Sequence, residues 1–253
     1  IYAFIPARAG STRLIDKNFL ILKNKRLFEW SMNTANESKE VNKIIFSSDS
    51  NKYIEYANSI NLNKDLIIDK RSSENSTKNT KIYDYLKGDF LKNNKYLNEK
   101  DFILMLLPTQ PFRKTDDVKK IIELGRATKQ NVFSSRQYDF HVSFAFETLE
   151  GNSFKPLFSD SPILTGNTRS QDQALYFHPD GSFYFLSIKS LMDKTSNSIY
   201  NNASPYESTS EFFIDIDNKN DYEIAKEIAK FFKPWSNNYF FFNCKKLARL
   251  IWS

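Results

Sequence analysis

Three observations predict an α/β fold with a mostly parallel sheet flanked by helices. Short apolar, β-branched runs alternate with amphipathic stretches of helical period along most of the chain. The opening run, Ile1-Tyr-Ala-Phe-Ile-Pro6, is apolar without alternation, as a strand buried on both faces must be. It turns at once into the polar Ala7-Arg-Ala-Gly-Ser-Thr-Arg13, and in open parallel sheets ligands sit beyond the carboxyl ends of the strands.

After the opening strand, the pattern predicts a helix over 27–38, a strand over 43–47, a helix over 52–60 and a strand over 65–69. A helix near 80–91, a strand over 102–107, a helix over 116–128 and a short strand over 131–135 continue the rhythm. It breaks between 138 and 168. There Phe140, Val142, Phe144 and Phe146 alternate with His141, Ser143, Ala145 and Glu147 before a Gly/Asn/Pro/Ser-rich stretch, which predicts an antiparallel excursion. Strands over 182–188 and 212–216 follow, then an amphipathic helix over 220–232 with Ile224, Ala225, Ile228 and Phe231 on one side. The aromatic, basic tail over 239–252 reads either as a packing helix or as a partner contact.

With 253 residues, 40% of them hydrophobic, the chain can bury a core as one domain spanning 1–253. Lys+Arg number 36 against 30 Asp+Glu, a net +6 spread along the chain. A nucleic-acid binder concentrates its basic residues, so no nucleic-acid partner is expected. The single cysteine, Cys244, excludes an internal disulfide, and two histidines (His141, His178) leave too few ligands for a Cys/His zinc site. The longest apolar run, 102–107, falls far short of the roughly 20 residues of a membrane span, and no charged-then-apolar leader stands before Ile1. The expectation is a soluble, cytoplasmic protein with no membrane partner. None of the six glycines lies in a GxGxxG or GxxxxGK arrangement, which excludes the standard dinucleotide and P-loop cradles.

The loop after the first strand holds Arg8, Ala9, Gly10, Ser11, Thr12, Arg13, Lys17 and Asn18. Cations, hydroxyls and the backbone N–H groups around Gly10 form a cage for a polyanion such as a triphosphate, or else a solvated loop. Near the other end, Ile214-Asp215-Ile216-Asp217 alternates apolar and acidic residues. Residues two apart on a strand share a face, so both carboxylates can meet one hard cation, Mg²⁺; the alternative is a strand end whose acids cap the next helix. Basic residues for phosphate and acids for Mg²⁺ in one α/β chain are what nucleotidyl transfer requires.

These residues also carry a resemblance. Ile5-Pro-Ala-Arg-Ala-Gly-Ser-Thr-Arg-Leu14 followed by Lys17-Asn18 resembles the opening motif of the acylneuraminate cytidylyltransferase family, which activates sialic and related nonulosonic acids with CTP. Ser47-Ser-Asp-Ser50, Arg71, Leu107-Pro-Thr-Gln-Pro-Phe-Arg113, Arg169-Ser-Gln-Asp172, Asp180-Gly-Ser-Phe-Tyr184 and Asp215-Ile-Asp217 are similar to later motifs of that family in the same order. The resemblance implies a Rossmann-like nucleotidyltransferase fold, with 138–168 as a small antiparallel arm that makes a homodimer. It also implies Arg8 and Lys17 as the catalytic, triphosphate-holding residues. Ala9, Gly10, Ser11, Arg13, Asn18 and Arg71 would complete the nucleotide site, and Asp215 and Asp217 would bind Mg²⁺. For the sugar, Arg113, Arg169, Gln171 and His178 are the candidates; Arg113 reads equally as a helix cap, and His178 also reads as a packed or solvent-facing histidine.

The chain departs from the family pattern mostly on the sugar side. Leu107 stands where a polar residue, commonly Gln, precedes Pro-Thr, Asp180 stands where Asn precedes Gly, and Thr12-Arg13 replaces a Lys-Gly or Lys-Arg pair. The implied substrates are CTP and a nonulosonic acid. A related enzyme using 3-deoxy-manno-octulosonate or GTP, and a catalytically silent nucleotide-sugar binding protein, remain open as alternatives.

Overall fold

The computed structural model describes residues 1–232; the tail over 239–252 and Cys244 lie outside the described residues. The chain begins with β1 (Tyr2–Pro6), the short pair β2 (Ile21–Leu22) and β3 (Lys25–Arg26), α1 (Leu27–Glu37), β4 (Lys43–Ser48), α2 (Asn51–Ser59) and β5 (Asp65–Lys70). A helical stretch follows, α3 (Ile82–Tyr85) running through a π-turn (Leu86–Phe90) into α4 (Leu91–Asn93), then β6 (Phe102–Met105), α5 (Thr115–Thr128) and β7 (Asn131–Gln137). Next come β8 (Phe146–Thr148), β9 (Phe154–Pro156), α6 (Pro162–Thr165), β10 (Phe177–Ser187), α7 (Ile188–Met192), β11 (Ala203–Glu207) and α8 (Lys219–Phe231).

Seven strands form one sheet in the order β11-β7-β10-β6-β1-β4-β5. β1 pairs in parallel with both β4 and β6, β4 in parallel with β5, and β6 antiparallel with β10. The expected α/β architecture is the one observed. Its reason is visible on β1, where Ala3, Phe4 and Ile5 are all fully buried. Because strand side chains alternate, Ala3 and Ile5 enter a cluster with Phe28, Met32, Tyr53, Val118 and Ile121 from α1, α2 and α5. Phe4 enters the opposite cluster with Tyr85, Leu86 and Phe90, its ring 5.1 Å from that of Phe90. Two helical layers thus need an apolar residue at every position of the central strand.

The chain divides into two compact units, residues 1–134 with 181 onward, and Ser135–Asp180. The second contains the expected antiparallel excursion, as a hairpin in which Phe146 pairs with Pro156 and Thr148 with Phe154. The alternation over 140–146 does not itself make a strand. Backbone bonds Phe144 N–H to His141 O (3.1 Å) and Ala145 N–H to Val142 O (2.8 Å) close a 3₁₀ turn at Val142–Phe144, so the strand begins only at Phe146.

The strand expected over 212–216 is likewise absent. Both edges of its neighbour β6 are already occupied by β1 and β10, and the segment is tied to the loop after β6 by a bond from Ile216 N–H to Thr109 O at 3.0 Å. Packing sets its direction. Ile216 is fully buried among Leu22, Leu27, Trp30, Phe112, Ala225 and Ala229, which ties α8 to α1. Asp215 and Asp217 flank this anchor and stay in reach of solvent.

Candidate active site

The loop after β1 is held by its neighbour after β4. Ser48 Oγ donates to Ala7 O at 2.7 Å, and Ala9 N–H donates to Asp49 Oδ1 at 2.9 Å. Further along, Asp16 sits at φ 52°, a left-handed conformation that Asp tolerates, and its carboxylate receives Lys52 Nζ and Tyr53 OH, each at 3.0 Å. Asn18 is buried and its Nδ2 donates to Arg8 O at 2.9 Å. Asn18 therefore shapes the loop from beneath. Arg8 is half-buried and makes one long bond, 3.4 Å, to Ser76 O. Gly10, Ser11 and Thr12 line the crest.

This loop meets the acid pair from the far end of the chain. Lys17 Nζ donates to Asp217 Oδ1 and Arg13 Nη2 to Asp217 Oδ2, both at 2.7 Å and both across at least 200 residues of sequence. Desolvation pushes against the ionised form of Asp217, but the bonds and charges of Lys17 and Arg13 outweigh it and hold the carboxyl below the ordinary carboxylate value. Asp215 goes the other way. Desolvation, joined by the charge of Asp217, raises it, against a hydrogen bond from Thr109 and the charge of Lys17.

Arg71 closes the other side. Its backbone N–H donates to Ser48 O at 2.9 Å, and its guanidinium is buried 5.1 Å from the centre of the Tyr85 ring. Burial pulls its pKa down, against Tyr85, Asp49 and Asp69. Asp69 is itself buried and accepts from Ser47 Oγ at 2.5 Å and Tyr85 OH at 2.8 Å. Burial, then Asp69, raises the Tyr85 hydroxyl, which keeps it a donor.

Four buried side-chain atoms among the described residues lack a hydrogen-bond partner: Asn33 Nδ2, Arg71 Nε, Ser76 Oγ and Gln110 Nε2. A buried orphan costs about 1–3 kcal/mol. All but Asn33 lie on loops that leave the carboxyl ends of β5 and β6, where a ligand would satisfy them. Ser76 and Gln110 are absent from the sequence expectations, since nothing in a sequence marks a donor as buried and unpaired.

Arg113, expected either in sugar binding or as a helix cap, is enclosed by protein partners. It is 2% exposed, and its Nε donates to Ser182 O at 2.6 Å, its Nη1 to Ser31 Oγ at 3.0 Å, and its Nη2 to Leu107 O. A guanidinium so enclosed clamps β10, α1 and the loop after β6 together.

The remaining sugar candidates belong to the second unit. Arg169 is exposed and lies 3.8 Å from Asp172 Oδ2; with its amide oxygen turned inward, Gln171 accepts from Arg169 Nε and Nη2 at 3.3 and 2.9 Å. His178 Nδ1 lies 2.9 Å from Pro179 O, with its ring 4.7 Å from that of Tyr138. Arg169 and Gln171 are brought together, and His178 has its own local partners.

With this geometry in hand, comparison places the chain among known proteins. The cytidylyltransferase family model matches residues 2–234. An N-acylneuraminate cytidylyltransferase of Streptococcus agalactiae serotype V is 32% identical over 223 residues, covering 86% of this chain and 50% of the relative. The chain thus spans about half the length of that relative. A pseudaminic acid cytidylyltransferase of Campylobacter jejuni serotype O:2 is 25% identical, covering 89% of this chain and 94% of the relative. In fold, a CMP:2-keto-3-deoxy-manno-octonic acid synthetase complexed with CTP is similar, with TM-score 0.63 and 16% identity over 90% of this chain and 97% of that one.

Proposed function

The chain belongs to the cytidylyltransferase family, and from that premise we propose that it joins CTP to a nonulosonic acid, giving a CMP-sugar and pyrophosphate. One observation carries the reading. Two cations of the loop after β1 and an acid of the 215–217 pair meet beyond the carboxyl end of β1, although they are some 200 residues apart in sequence. Phosphate arriving at the two cations would replace Asp217 as their partner and free that acid for a divalent cation.

In the reaction, a hydroxyl oxygen of the sugar bonds to the α-phosphorus and loses its proton. The bond from that phosphorus to the bridging oxygen breaks, and pyrophosphate leaves with the electron pair. Negative charge grows on the departing oxygens, so the task of the protein is electrostatic. Arg8 offers a planar fork held by the rigid end of β1. Lys17 and Arg13 leave Asp217 to meet the phosphates, and Arg71 faces the base. No protein nucleophile is required.

Asp215 and Asp217 fit Mg²⁺. Among the described residues no group of three or more His, Cys, Asp or Glu is placed to hold a metal. A carboxylate pair completed by phosphate and water oxygens is the donor set Mg²⁺ favours over an all-protein cage. Burial, with the charge of Asp217, raises Asp215, and a divalent cation beside it would offset both. When bound, the ion would neutralise charge on the phosphates.

For the second unit we propose a homodimer contact. Phe140, Phe146 and Phe154 are 71%, 50% and 52% exposed on a unit too small to cover them. A cytoplasmic site of action follows from the CTP supply; among the described residues no helix is long and apolar enough to cross a membrane.

The test is a panel of nonulosonic acids, and 3-deoxy-manno-octulosonate, against CTP and GTP with pyrophosphate detection. Release that needs CTP, Mg²⁺ and a nonulosonic acid is expected. A folded protein that releases none with any acid would overturn the reading.

A further inference from the structure

Two of the orphaned donors, Arg71 Nε and Ser76 Oγ, belong to one loop after β5. Ser76 is 7% exposed and tightly placed. Its N–H donates to Ser73 O at 3.2 Å, and its carbonyl accepts from Arg8 Nη1 at 3.4 Å. The preceding residue, Asn75, donates from Nδ2 to Asp89 Oδ2 at 2.7 Å, which ties the loop to the π-turn. The Ser76 carbonyl also lies 4.0 Å from where a Cβ on Gly10 would stand, so the loop rests against the Arg8–Gly10 backbone. The Ser76 hydroxyl is thus buried and unpaired on a residue whose carbonyl meets the arginine expected to hold phosphate.

We propose that Ser76 is a nucleotide-binding residue whose hydroxyl donates to a phosphate oxygen of the bound nucleotide, next to Arg8. The proposal rests on the CTP reading above. A free hydroxyl rotor that is buried without a partner destabilises the empty protein, and an anionic oxygen arriving beside Arg8 would complete its hydrogen bonding. Phosphate is favoured over the base because Ser76 is joined through its carbonyl to the Arg8 guanidinium, whereas Arg71 turns its guanidinium toward the Tyr85 ring. Such a group should raise ligand affinity while lowering the stability of the free state.

That pairing of signs is the test. Ser76→Ala in the full chain should melt at the parental temperature or about 2–4 °C above it. Calorimetric affinity for CTP with Mg²⁺ and no sugar should fall about tenfold, and affinity for cytidine should stay unchanged. Ser76→Cys, a weaker donor of similar shape, should fall between parent and Ser76→Ala. Unchanged CTP affinity in Ser76→Ala, or a lower melting temperature with unchanged affinity, would overturn the proposal and leave the CTP reading standing. An equal loss for cytidine would overturn the phosphate contact. A parent protein that binds no CTP would overturn both.

Discussion

Arg8 and Arg113 follow adjacent parallel strands, β1 and β6, on the loops that leave their carboxyl ends. In sequence both sit beside proline-containing motifs and both invite a role in binding an anion. In the structure, Arg113 is enclosed and its three donor positions reach Ser182 O, Ser31 Oγ and Leu107 O. Arg8 has one stretched bond to a carbonyl and a half-open setting. The loop after β6 buries its cation to fix its own path, and the loop after β1 is fixed by Ser48 and Asp49 and by its own Asn18, so that Arg8 is left with one stretched bond. An arginine's role depends on whether its donors already have partners, and this differs between neighbouring loops of one site.

The largest effect should come from the enclosed arginine. Arg113→Ala removes a buried side chain and orphans several acceptors at once, so unfolding free energy should fall by about 3–5 kcal/mol. For a chain of this size that is a drop of roughly 10 °C in melting temperature, read by calorimetry. A variant that melts like the parent but no longer turns over would return Arg113 to the sugar site and erase the contrast with Arg8.

The opposite profile is expected for Arg8. Losing one aligned donor at developing charge lowers turnover by about 10²–10³, on the order of 3–4 kcal/mol, while melting should hardly change. Arg8→Lys should be intermediate, because it keeps the charge and loses the fork that binds two oxygens. Steady-state rates over CTP concentration, with melting as control, decide. Turnover within about threefold of the parent, ~0.7 kcal/mol, would make Arg8 an ordinary surface charge. A loss confined to KM would mean uniform binding of ground and transition states.

The same contrast explains what could be read in the sequence. β1, β4, β5 and α5 were legible because burial on both faces, or on one stripe, imposes a period, and Ala3, Phe4, Ile5 and Val118, Ile121, Ile122 carry it. The segment over 212–216 has strand alternation for another reason, with Ile216 buried as an anchor between two more accessible acids. Alternation reports which side is buried, and pairing depends on whether a neighbouring strand has a free edge. The charges of the loop after β1 were legible as a set because they are local. The partners that decide their state were not, since Asp217, Ser76 and Ser48 come from other parts of the chain. The enclosure of Arg113 and the orphaned Gln110 and Ser76 are tertiary facts with no local signal.

The smallest expected effect lies between these extremes, at the pairs that Lys17 and Arg13 make with Asp217. Like Arg113 the two cations have partners, but here the partner side chain is 36% exposed and Arg13 70% exposed, so solvent competes for both. Asp217→Asn should therefore lower stability at pH 7 by no more than about 1 kcal/mol. The sign of its pH dependence follows from the depressed carboxyl. Between its folded and unfolded values, the folded protein binds fewer protons at Asp217 than the unfolded chain does, so the pairing stabilises fully above the unfolded value of about 3.9. It is lost as pH falls through the folded value. Denaturant midpoints of parent and Asp217→Asn should differ slightly at pH 7 and converge as pH falls below the lowered folded value of Asp217, and about 1 M salt should narrow the gap at neutral pH. A difference of several kcal/mol that survives both acid and salt would show Asp217 acting as Arg113 does, as part of the frame. The cations of the loop after β1 would then be structural clamps instead of groups free to change partners when phosphate arrives.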